Sequence, residues 1–190
     1  MANIRSASRT TLGALLLDQT SRDRLVPENL AIFVGIALEE LLVRASDALV
    51  DICVSAYLSA GHFVRASTSF RGEERFDDVA LVPTEHVHDC VSGAVESFDV
   101  LAPARLLVLF RFPDEAPGLF IAGSEFALLR LYTEMDTPCL GRRHFAMHED
   151  SHLLVVPLSL IYRTVHMIRD PRTPTLFFLQ NSRLYDKMNS

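Results

Sequence analysis

The chain has 190 residues, 49% of them hydrophobic, which is enough for an ordinary domain with a buried core and no need of stapling cross-links. No apolar run approaches the ~18–20 residues of a membrane-spanning helix, and three widely spaced cysteines, Cys53, Cys90 and Cys139, do not read as a disulfide framework. The formal charge of −6 is uneven: residues 1–100 hold eight Arg, no Lys and fifteen Asp or Glu, a balance that argues against generic nucleic-acid packaging.

The opening segment MANIRSASRTTLG lacks the continuous apolar stretch of a secretory leader, so an intracellular, reducing compartment is expected. From Arg9 to Gln19, Leu12, Leu15 and Leu16 fall at helical spacing and predict a short helix. A polar turn follows, Leu25-Val26 forms a two-residue extended step, and Pro27 stands where the first turn of a helix tolerates proline. From Pro27 to about Val54, Leu30, Phe33, Val34, Ala37, Leu38, Leu41, Ala45, Leu49, Ile52 and Cys53 repeat at i, i+3, i+4 and i+7. That pattern predicts a central helix of about 42 Å, apolar on more than one side because Ile36, Leu42 and Val50 lie off the main stripe. Residues 55–79 lose the period and read as an enlarged loop. After a second extended step at Ala80-Leu81-Val82, Thr84 caps a third helix whose stripe is Val87, Cys90, Val91, Ala94, Val95 and Phe98.

Beyond Leu101 the pattern changes to a C-terminal α or α+β extension. Ala104 to Phe112 (ARLLVLFRF) reads as a strand or a buried helical turn, Leu119 to Met135 as mostly helical, 144–152 as a short helix, and the segment after Pro157 as another helix. Thr175 to Leu179 (TLFFL) reads as a short strand.

Short helix, extended pair, long helix, extended pair, helix is the element order of the histone fold. The segment VPENLAIFVGIALEELLVRASDALVD, positions 26–51, resembles the central helix of the branch that holds histone two-A and the gamma subunit of nuclear transcription factor Y. LVPTEHVHDCVSGAVESFD, positions 81–99, is similar to that branch's third helix. The resemblance implies a mainly α chain, with a histone-fold domain at 1–100 and residues 101–190 making further protein contacts. It also implies a non-enzymatic subunit without cofactor, paired with a second histone-fold protein inside a nuclear transcription, chromatin or replication complex, or in the host nucleus if the source is viral. Phe33, Ile36, Leu38, Leu41, Leu49 and Val91 are the expected dimer interface; burial against residues 101–190 is the alternative. Arg9, Arg22 and Arg24 stand where family members contact phosphates, which would allow partner-assisted contact with double-stranded DNA. Their alternative is surface pairing with Asp18 and Asp23. Basic tails and a basic second loop, both usual in DNA-wrapping members, are missing: the loop ends in RGEERFDD.

A rival motif spells HExxH. On a helix, His148 and His152 would stand one turn apart to hold zinc while Glu149 served as general base, with His144 continuing the face. Asp150 and Ser151 break the apolar setting such a site needs, and no third-ligand pattern follows. The alternatives are therefore a zinc-dependent hydrolase, or a helical scaffold or viral protein that forms a homo-oligomer. His86 and Cys90 in HVHDC share a helical face and make a weaker metal pair.

Overall fold

A computed structural model of the chain describes residues 5–15, 25–45, 47–58, 61–70, 73–82, 102–114, 123–135, 144–147, 152–173 and 175–179. The elements are β1 (Arg5–Thr11), α1 (Leu25–Val34), α2 (Leu38–Ala45), β2 (Leu49–Tyr57), β3 (Phe63–Phe70), β4 (Glu73–Phe76) and β5 (Asp78–Leu81). There follow β6 (Ala102–Arg111), β7 (Glu125–Leu131), β8 (Thr133–Glu134), β9 (His144–Ala146) and β10 (Leu153–Pro157). A 3-10 turn at Leu158–Leu160 leads to β11 (Ile161–Val165), β12 (Met167–Arg169) and β13 (Leu176–Leu179). The strands form a nine-stranded and a four-stranded sheet.

This architecture overturns the histone fold and the mainly α class that the resemblance implied. The predicted 42 Å helix fails for two local reasons. Gly35, at φ 71°, ends α1: the Gly35 N–H donates to the Ile32 carbonyl at 3.2 Å and the Ile36 N–H to the Ala31 carbonyl at 3.1 Å. That is the Schellman pattern, in which a left-handed residue turns the chain out of the helix. From Leu49 onward a second period also fits, because Val50, Ile52 and Val54 alternate with Asp51, Cys53 and Ser55. β-branched residues at period two favour a strand, and β2 is that strand.

Other expectations change for similar reasons. The enlarged loop at 55–79 is instead the end of β2, then β3, β4 and the start of β5. The first predicted helix is β1, followed by a helical turn at 12–15 in which Thr11 Oγ1 accepts from the Ala14 N–H at 3.1 Å. Residues 125–134 are strands rather than a helix, 144–146 are β9, and the helix expected after Pro157 is only the 3-10 turn. Ala104 to Phe112, left open between a strand and a buried helical turn, falls on β6, and the short strand expected at 175–179 is β13. The third predicted helix, with Val91, lies outside the described residues.

β6 organises the large sheet. β7 runs along one side of it, while the other side is shared by β5, beside its first half, and β2, beside its second. Because β10 pairs with β7, β11 pairs with β5, and one 3-10 turn joins β10 to β11, the sheet curls around an interior core. Ala104, Leu106, Leu109, Ala127, Leu129, Leu154, Val156, Val79 and Leu81 fill it. The opposite face carries Val50, Phe110, Phe126, Leu128, Leu153 and Val155, and it is covered by Leu30 and Ala31 of α1 and by Leu41 and Ala45 of α2. A bulge explains how β6 serves both faces. The register slips between Leu106 and Val108, so even-numbered residues point inward before it and odd-numbered ones after it. Strands on both sides of residue 100 therefore share one sheet.

Candidate functional site

The two helices close the outer core with one side and leave the other in solvent. On α2, Leu38, Leu41 and Ala45 face the sheet, and Leu41 is fully buried. Glu39, Leu42 and Val43 share another side, since residues three and four apart are neighbours on a helix. Leu42 is 53% exposed and Val43 76%, while Ile32 on α1 is 50% exposed. Single exposed apolar residues are ordinary, but here adjacent Leu42 and Val43 stand out from a helix whose buried stripe is already complete. The rim is acidic: Glu39 and Asp47 are exposed. Arg44, the basic residue of this helix, is committed to Glu40 one turn back, with Nη2 3.0 Å from Oε1.

Two polar clusters lie on the sheet. The first is a row across four strands, Arg9, Asp51, Arg111 and Glu125, each residue paired with the next in register. Asp51 is buried; its Oδ1 accepts from Arg9 Nε at 2.8 Å and its Oδ2 lies 3.5 Å from Arg111 Nε. The hydrogen bond from Arg9 holds the Asp51 carboxyl below its usual range. Burial pushes the Glu125 carboxyl upward despite the Arg111 charge. Alternating charges directly across strands favour this register over a slipped one. Below the row, burial pushes the Cys53 thiol up to about 12, which makes it a small apolar filler rather than a nucleophile.

The second cluster joins the two sheets. Asp78 Oδ1 accepts from Arg105 Nε at 3.0 Å and from the Tyr132 hydroxyl at 2.7 Å. Arg105 also lies against the Phe177 ring of the small sheet, 5.6 Å from its centroid. Tyr132 and Phe177 meet edge to face and pack with Phe145. Burial pushes the Asp78 carboxyl upward and outweighs the Arg105 and Tyr132 contacts that favour its charged form. Across β6 and β7, Arg105 stands directly opposite Arg130. The Arg130 Nε is buried without a hydrogen-bond partner, a state that costs about 1–3 kcal/mol for a polar group.

The residues singled out in the sequence are scattered by this fold. Leu41 is core; Phe33, Ile36 and Leu38 are partly buried against it, and Leu49 is 46% exposed at the start of β2. Arg9 belongs to the charged row, while Arg22, Arg24 and Val91 lie outside the described residues. His152 stands at the entry to β10, where its carbonyl accepts from the Leu131 N–H at 3.0 Å in sheet fashion. His144 is buried in β9; His148 and Glu149 lie outside the described residues. No group of three metal-ligating side chains occurs among the described residues. Sequence reading missed Asp51, Asp78, Arg105, Arg130 and Tyr132. The only linear signal was Arg105 and Arg111 bracketing an apolar strand.

No helix of the described residues is long and apolar enough to cross a membrane. Comparison with protein-family models, with curated proteins and with solved structures gives no match.

Proposed function

We propose that the chain is a non-enzymatic interaction subunit that docks one partner protein on the exposed side of α2. The observation that carries this reading is the Leu42–Val43 pair, held in solvent at 53% and 76% exposure on a helix fixed to the sheet by its opposite side. A rigid, preformed apolar face loses little conformational entropy on binding, and burying what is still exposed of these two side chains yields about 1–2 kcal/mol each. The acidic rim of Glu39 and Asp47, on a half of the chain with fifteen acids against eight arginines, selects an apolar partner surface rimmed by Lys or Arg. A second copy of the chain is disfavoured, because it would bring the same acidic rim against itself.

The test is direct binding by a partner purified from the native complex. Leu42→Asp and Val43→Asp, with unchanged circular dichroism, should each weaken binding at least tenfold. Glu39→Lys should slow association and reduce its salt dependence. Unchanged affinity in all three variants, or self-association of the purified chain through this face, would contradict the proposal.

A further inference from the structure

We propose that Arg130 is the anchor of a carboxylate-binding site on the outer face of β6 and β7. This site is separate from the helical docking face and does not depend on it. Strand pairing brings Arg130 directly opposite Arg105, with Asp78 beyond Arg105 and Leu153 on the far side of Arg130. Like charges directly opposite on neighbouring strands oppose folding unless something compensates them. The compensation present is uneven. Asp78 takes both Arg105 contacts, Nε at 3.0 Å and Nη2 at 3.4 Å, and also receives the Tyr132 hydroxyl.

Arg130 receives no such partner. Its Nε–H is buried and makes no hydrogen bond, and no carboxylate among the described residues pairs with it. Among the described residues, two guanidinium groups against one carboxylate leave a single positive charge in this stretch of the sheet. An added carboxylate balances that charge, and its two oxygens match the paired N–H groups along one edge of a guanidinium. A doubly charged phosphate fits less well, since it would bring a second negative charge towards Asp78. The ligand class is therefore a carboxylate on a small molecule or an acidic side chain.

The experiment is arginine side-chain NMR of the full chain, following Nε–H signals while acetate, and separately inorganic phosphate, is titrated at fixed ionic strength. Arg130→Gln assigns the signal, and Arg44→Gln, on the far side of the helical cover, serves as the control. The expected result is a saturable shift of the Arg130 signal with acetate, at least threefold larger than that of Arg44, and weaker binding of phosphate. Equal shifts at Arg130 and Arg44, or tighter binding of phosphate than of acetate, overturn the proposal. So does a Glu149→Gln or Asp150→Asn variant that moves the Arg130 signal without added ligand, because the chain would then supply its own carboxylate.

Discussion

Asp51 and Asp78 each meet arginines across neighbouring strands, yet their surroundings move the two carboxyl groups in opposite directions. Asp51, lowered by Arg9 from an ordinary value of 3.8, contributes stability that is complete above that value and lost as pH falls through the lowered one. Asp78 is raised by burial, so folding favours its neutral form. That stabilisation is present below the ordinary value of 3.8 and is lost as pH rises through the raised one. Urea denaturation across pH should separate them. Asp51→Asn should cost about 1 kcal/mol at pH 7, discounted because Arg9 is half exposed, and should flatten the loss of stability below about pH 4. Asp78→Asn should steepen that acid loss relative to the variant's own value at pH 7, because the opposing gain is gone. Parallel pH profiles for both variants and the wild type would refute these assignments. Neither pair was legible in the sequence. Asp78 and Arg105 are 27 positions apart and Arg9 and Asp51 are 42 apart, so the partners appear only once strand register is known.

Much of the apolar patterning could be read from the sequence, but the elements it belongs to could not. Leu30, Leu41 and Ala45 form a stripe in the sequence and a buried stripe in the fold. Two joins were wrong: Leu30 and Leu41 lie on separate helices, and Leu49, Ile52 and Cys53 share the helical spacing but lie on β2. For the first, Gly35 was the available signal, since glycine takes φ 71° freely whereas most residues with a Cβ are strained there. A Cβ at this position would meet nothing within 4 Å, so Gly35→Ala tests backbone strain alone. It should cost about 1 kcal/mol in thermal denaturation, and a neutral or stabilising result would show that the turn does not depend on the left-handed conformation. Leu41→Ala should cost about 2–5 kcal/mol because it opens a cavity between α2 and the sheet. Strand β6 was legible in part: its apolar run bounded by Arg105 and Arg111 left a strand and a buried helical turn both open, because periodicity does not separate the two in so short a run.

At the scale of the molecule, the described residues form a curled nine-stranded sheet with helical cover and a smaller four-stranded sheet, and strands from both halves of the chain share the larger one. β2 and β5 obtain their central partner, β6, only from beyond residue 100. A chain ending at residue 100 should therefore lack a cooperative unfolding transition in circular dichroism; a sharp two-state transition would show an independent N-terminal domain. Sequence resemblance suggested pairing through a second apolar face; of its residues the fold buries Leu41, partly buries Phe33, Ile36 and Leu38, and leaves Leu49 exposed. It leaves a smaller one on α2, and the proposed function rests there. Hydrogen exchange of the full chain with and without its purified partner tests this most directly. The account predicts that protection on binding rises most over residues 38–45 and leaves 161–169 unchanged. Protection confined to other segments, with 38–45 unaffected, would contradict it.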